Sequence, residues 1–334
     1  MASKQRIGWI DFGKGRAIFL VVLGHVFLGL YQSGRFHSSE YWLWILIEGI
    51  YIFHMPVFFA LSGYFFKPVE TLASYVGFIL KKTVQLGIPY ILYNVIHFVL
   101  QQIGGGAVRD KASFVDLIHI YKSPLSVSWF LYILWGIFVV LGLLSLLIKD
   151  KKVMFGITLM MLVLVSLFPN NLMIIQRVGL WAPVFMLGSL LRDISLKDNK
   201  SRLLILAVVI AAYLIAWYNF DFENRISYSN PGLWGIIFYI SVIFAFMLFS
   251  IFPKGKCFDY FTKYGRDSLV IYILHVPIVS VSRIVLLKVG VTNVILHILI
   301  GLSAGWLGSI FILYLTKVIP YIDFVFYPTK YLKK

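Results

Sequence analysis

The chain is poor in charge, and poorer still in acid. Only 13% of its 334 residues are Asp, Glu, Lys or Arg, and 14 acidic residues face 30 basic ones. A soluble domain carries about 25% charged residues, so a water-solvated surface of the usual kind is excluded. There is one cysteine, Cys257, which excludes an internal disulfide and leaves no thiolate metal site; no metal is expected. No small-residue cleavage site follows the first apolar run, which is therefore expected to stay as a membrane helix. Internal repeats and low-complexity tracts are also missing.

What is there is apolar: 60% of the residues are hydrophobic. Long runs of this kind are transmembrane helices, because lipid leaves every backbone polar group to be satisfied within the segment. The expected fold is an all-α polytopic membrane protein, built as a single integral-membrane domain. Ten apolar segments can be drawn, at 15–34, 43–66, 86–103, 127–148, 152–168, 172–191, 203–220, 231–253, 268–288 and 290–316. Lys81 and Lys82 interrupt the run from Leu72 to Leu100 and are placed at the interface. The formal net charge of +16 would suggest nucleic acid in a soluble protein. Here it follows the positive-inside rule, and no nucleic-acid partner is expected. With the N-terminus in the cytoplasm, 22 of the 30 basic residues fall in cytoplasmic segments. Lys4, Arg6, Lys14 and Arg16 begin that set; Lys197, Lys200 and Arg202 lie in its middle, and Lys333 and Lys334 end it. Both termini are expected to be cytoplasmic. The largest outer loop is then 104–126, and residues 254–267 form a short basic inner loop.

Polar side chains inside such spans are costly and mark function by default. Glu48 is the only carboxylate placed clearly within a segment. His25, His54 and His275 each sit within a different one. A lone membrane histidine often only bonds a neighbouring helix; three in separate spans suggest a shared polar interior. His54-Met55-Pro56 and His275-Val276-Pro277 share a pattern. Proline clashes with the carbonyl four residues back, so free acceptors are expected at Ile52 and Ile273, inside kinks. Arg177, Arg283 and Lys288 lie near outer helix ends and are expected to snorkel.

In the first segment, GKGRAIFLVVLGHVF, a residue advances about 100° and about 1.5 Å. Lys14 and His25 therefore share a face about 16 Å apart, whereas Arg16 points about 180° away and is left to lipid phosphate or another helix. That stripe suits an elongated anionic ligand such as acyl-coenzyme A, with its phosphates near Lys14 and its thioester near His25. A topology signal and a packing histidine explain the same residues.

Several stretches together resemble the acyltransferase family 3 membrane proteins, in particular bacterial sugar and exopolysaccharide O-acetyltransferases. WIDFGKGRAIFLVVLGH is similar to the family's first-helix motif, with Asp11, then a basic residue, ten residues and His25. FHMPVFFALSGYFF, KKTVQLGIPYI, VSWFLYILWG, FMLGSLLRD and YGRDSLVIYILH resemble later landmarks. The resemblance covers about residues 8–316, leaving a short cytoplasmic tail at 317–334. It implies transfer of an acyl group, usually from acetyl-CoA in the cytoplasm, to a hydroxyl of a glycan or lipid-linked glycan. It implies a bacterial plasma-membrane location and contact with membrane lipid. His25 then stands where the family's catalytic base does, and Lys14 where arginine is usual. Lysine keeps the charge but loses the bidentate fork. The family's Arg-x-x-Arg spacing is replaced by adjacent Lys81 and Lys82, which carry over as contributors to CoA binding.

The expected reaction is direct transfer, with neutral His25 taking the proton of the attacking hydroxyl. His54, His275, Tyr272 and Asn94 are expected to orient His25, stabilise the oxyanion or hold the sugar, with Asp11 and Glu48 in support. Ser62 is a small packing residue or an acyl carrier, and Trp129 and Trp181 are sites for sugar stacking or plain packing. The rival functions are a transporter or flippase for a polysaccharide precursor, and a non-catalytic subunit of a glycan synthase.

Overall fold

A computed structural model describes residues 7–108, 110–194, 199–219, 228, 230–319 and 321–331. Of the basic residues used for orientation, Lys4, Arg6, Lys197, Lys333 and Lys334 lie outside these, as do the side chains of Lys200 and Arg202.

Among the described residues the regular structure is helical: α1 (Gly8–Tyr31), α2 (Glu40–Gly63), α3 (Leu72–Gly104), α4 (Phe114–Ile118), α5 (Trp129–Leu147), α6 (Lys151–Leu167), α7 (Met173–Leu191), α8 (Asn199–Tyr218), α9 (Ile236–Ile251), α10 (Lys256–Arg266), α11 (Ser268–Lys288) and α12 (Val294–Val318). Eight helices among the described residues are long and apolar enough to cross a membrane. The 17-residue α6 and the apolar part of α8, Leu203–Tyr218, match the two remaining segments read from the sequence.

The bundle is layered by burial. α1 packs against α2, α9, α10, α11 and α12, and α2 packs against α7 and α9 as well. Ile10, Ala17, Ile18 and Val22 on α1 are wholly inaccessible. By contrast α8 leans on α9 and exposes Leu203, Leu204, Val208, Leu214 and Ile215. An all-round apolar helix tolerates this where one face meets lipid.

Three boundaries differ from the sequence reading. The third segment is one helix of 33 residues with Lys81 and Lys82 inside it. At 1.5 Å per residue it is about 50 Å long, more than the ~30 Å hydrocarbon core, so its lysine-bearing first turns extend beyond the apolar layer. Residues 254–267, expected as a loop, contain α10. Its Phe258, Thr262 and Gly265 are buried at helical spacing while Lys263 and Arg266 are exposed. The segment read as a short tail packs onto the fold, with described residues as far as 331. Phe326 and Pro328 are buried, the Tyr327 hydroxyl donates to Asp267, and the segment packs against α3. Within it Lys330 bonds Asp323 at 2.7 Å, and with Tyr331 it holds that carboxyl below the usual carboxylate range.

α1 and α10 cross at close approach. A Cβ on Gly265 would lie 1.7 Å from the Asp11 carbonyl oxygen, and one on Gly15 would lie 2.0 Å from that of Phe261. Neither backbone can yield, so this approach requires glycine on both sides. Across the same junction Arg266 pairs with Asp11 at 3.5 Å, and Arg16 lies 4.8 Å over the Phe261 ring. The cation opposite the His25 stripe thus meets another helix. Gly265→Ala should lower stability by about 1–3 kcal/mol through overpacking. Gly156→Ala, with open space at its Cβ, should not; thermal unfolding in detergent compares the two.

Candidate active site

Three histidines from three helices meet, directly or through one tyrosine, near the α1 end that is remote from Lys14. The His25 and His275 rings are 5.0 Å apart, with His275 Nε2 3.3 Å from His25 Nδ1. His54 joins through Tyr51, whose ring is 4.9 Å from that of His54 and 6.2 Å from that of His25. The three sequence-predicted histidines are therefore brought together.

Each ring is held by its own helix. The Nδ1 atoms of His25, His54 and His275 lie 2.8, 2.6 and 3.0 Å from the carbonyl oxygens of Val21, Ile50 and Ile271. A carbonyl only accepts, so in each neutral ring the proton is on Nδ1 and the lone pair is on Nε2. The acceptor is the carbonyl four residues back, not the one freed by proline. The carbonyls of Ile52 and Ile273, expected to be free, are not the histidines' partners, and α2 and α11 continue as helices through Pro56 and Pro277. A helical carbonyl keeps a second lone pair after accepting its backbone bond, so the histidine needs no break. The tautomers also interlock. With its proton on Nδ1, His275 presents Nε2 as a second acceptor for the His25 N–H.

His25 and His54 line a cavity of about 960 Å³, large for a small-molecule site, which also takes in Tyr51, Trp129, Arg177, Tyr228, Tyr272 and Arg283. Its mouth is formed by the 104–126 loop, including Asp110, Lys111, Asp116 and His119. His275 is wholly buried behind His25. Tyr51 and Tyr228 stack at 5.7 Å, the Tyr228 hydroxyl donates to the Tyr51 carbonyl at 2.5 Å, and Trp129 is 5.7 Å from Tyr228.

Other predicted residues take supporting places. The Tyr272 hydroxyl donates to the Val127 carbonyl, tying α11 to the turn before α5. Asn94 is wholly buried and its side chain organises that same turn. Its Oδ1 accepts from the Leu125 N–H at 2.8 Å and lies 3.1 Å from the Ser128 hydroxyl, while its Nδ2 donates to Tyr90 at 2.7 Å. Ser62 donates to the Phe58 carbonyl at 2.9 Å. Trp181 is sealed between Phe59 and Phe238, so it is a packing residue, whereas Trp129 reaches the cavity. Glu48 is buried on α2 but does not line the cavity.

Lys14, Lys81, Lys82 and Asp11 belong to the opposite end and are not brought to the histidines. The Lys14 ammonium is 5.5 Å from the centre of the Phe65 ring, and that of Lys82 is 4.1 Å from the Phe138 ring. Lys82 is within electrostatic range of Lys14 and Lys81. Between Lys14 and His25 the face of α1 is filled by wholly buried Ile18 and Val22.

Tyr51, Tyr228, Arg177 and Arg283 are among the cavity residues that sequence reading missed or assigned elsewhere. Tyr51 had a signal, being three residues before His54 and so on its face. Tyr228 had none, because its partner is 177 positions away. Arg177 and Arg283 were assigned to snorkelling but line the cavity.

A family model described as "Acyltransferase domain" matches residues 7–314. Among curated proteins, the chain is similar to Nodulation protein NolL of Mesorhizobium japonicum, 26% identical over 181 residues, which is 54% of this chain and 46% of that protein. It is also similar to Nodulation protein NolL of Sinorhizobium fredii, 27% identical over 181 residues, 54% of this chain and 47% of that one. The chain thus spans about half the length of the curated relatives it matches. No solved structure matches.

Replacing Asn94 by Leu should unmoor the 125–128 turn. The Leu125 N–H loses its acceptor, at a cost of about 1–3 kcal/mol, and hydrogen exchange of that amide should accelerate relative to the α5 interior.

Proposed function

This chain belongs to the acyltransferase family, and from that membership we propose that it is a membrane-bound O-acyltransferase. It moves an acetyl group from cytoplasmic acyl-CoA to a hydroxyl of a cell-surface glycan or its lipid-linked precursor. The observation that carries this reading is the state of His25, whose Nδ1–H is held by Val21 while the ring lines the cavity. That leaves a lone pair on Nε2 for a substrate hydroxyl.

The acceptor occupies the cavity, and the thioester reaches it from the Lys14 end. Nε2 of His25 takes the hydroxyl proton as the oxygen attacks the thioester carbonyl. The new C–O bond forms and the C–S bond breaks. The imidazolium then returns the proton to the CoA thiolate, a cycle suited to a neutral imidazole. While His25 is cationic, its Nδ1–H is shared by the Val21 carbonyl and His275 Nε2, which stabilises the charge as the third member of a triad does. His275 is thus a positioning residue, and His54 holds the acceptor through its own Nε2. Lys14, Lys81 and Lys82 attract the CoA phosphates as point charges. Because Ile18 and Val22 close the α1 face between the two ends, donor binding has to part those side chains for the pantetheine arm.

In this reading the protein sits in a bacterial plasma membrane with both termini cytoplasmic. Exposed Cys257 on α10 then reports orientation: a membrane-impermeant maleimide should label it in permeabilised cells and not in intact ones.

The direct test is CoA release by purified protein supplied with acetyl-CoA and glycan fractions from the producing cell. His25→Ala should lower the rate by about 10²–10⁴-fold without changing acetyl-CoA binding. His275→Gln should lower kcat and displace the pH profile. Activity unaffected by His25→Ala would refute the mechanism.

A further inference from the structure

Two arginines in the cavity have no part in the proton transfer. Arg177 is on the first turns of α7 and Arg283 is near the end of α11. Both are half-buried and both line the cavity. A guanidinium in a membrane bundle is costly unless it faces a polar partner or a watery space, and both of these border the same cavity, where an entering anion meets their charge.

Their placement is specific. A Cβ on Gly29 would lie 2.1 Å from Arg283 Nη1, so the guanidinium lies directly on Gly29. Gly29 follows His25 by four residues, one turn or about 6 Å along α1. Arg283 therefore stands one turn beyond the proposed base, toward the loop-lined mouth. The Arg177 guanidinium lies 4.7 Å from the centre of the Trp129 ring, and Trp129 is 5.7 Å from Tyr228. That wall joins flat aromatic faces, on which a sugar ring stacks, to a second planar cation.

The geometry points to an anionic subsite: the acceptor carries a carboxylate or phosphate that Arg283 and Arg177 hold while a hydroxyl about one turn deeper meets His25 Nε2. Guanidinium forks match both groups with paired hydrogen bonds. The placement of the hydroxyl rests on the acyl-transfer reading; the anion site does not.

The test is binding of glucuronate, glucose 6-phosphate and glucose to the full chain in nanodiscs, followed by isothermal titration. At least one anionic sugar should bind about tenfold or more tightly than glucose, as a charge-assisted pair requires. The preferred one distinguishes carboxylate from phosphate. Arg283→Gln and Arg177→Gln should each erase most of that preference. Gly29→Ala, which keeps both arginines but displaces the Arg283 fork, should weaken it, and Gly156→Ala, remote from the cavity with open space at its Cβ, should leave it intact. Retained acetyl-CoA binding by the arginine variants separates loss of the subsite from loss of the fold. If neither anionic sugar binds more tightly than glucose, or if the preference survives in both glutamine variants, the subsite is refuted. A preference without any CoA release would instead overturn the acyl-transfer reading and leave the anion site standing.

Discussion

The site depends on one hydrogen bond used three times, from a histidine Nδ1–H to the carbonyl one turn back in its own helix. A buried polar side chain normally needs a partner from elsewhere. Here the backbone supplies it, because a helical carbonyl has a lone pair to spare. The bond fixes the ring and fixes the tautomer. It gives each imidazole a proton on the side facing its helix and a lone pair on the other. For His25 that lone pair belongs to a ring on the cavity wall; for His275 it belongs to a ring packed against His25.

The packing around α1 turns this local rule into a site. α2 and α11 flank α1 and bring Tyr51, His54 and His275 to it, while the turn tied by Asn94 and Tyr272 leads into Trp129 on the cavity wall. At the far end α10 crosses α1 so closely that both helices need glycine, and Lys14 is fixed near Lys81 and Lys82. One helix thus carries a basic end and a histidine, with Ile18 and Val22 packed between them.

Hydropathy made the span pattern legible, since run length alone dictates what lipid accepts. It also made the Lys14–His25 stripe legible, because helical phase is arithmetic. The pattern of helices left transporter and enzyme open, and the family match supports the enzyme. Hydropathy erred where a charged stretch folds on the surface. KCFDYFTKYGR reads as a basic loop, yet its buried positions recur at helical spacing. Hydropathy also does not separate a cation that snorkels into lipid headgroups from one that faces a cavity, so Arg177 and Arg283 were assigned to the wrong surroundings. The meeting of His25 with His275 spans 250 positions, and no local signal encodes it. The proline pattern drew attention to His54 and His275, whose ring partners are the carbonyls of Ile50 and Ile271.

The central claim is that His25 presents an unprotonated Nε2 to the acceptor. Nitrogen-15 NMR of histidine-labelled protein in a bilayer reads this directly, with His25→Gln used to assign the signal. The account predicts a neutral ring at neutral pH with its proton on Nδ1 and a bare Nε2. A His25 ring protonated on Nε2, or a permanently cationic one, would contradict it.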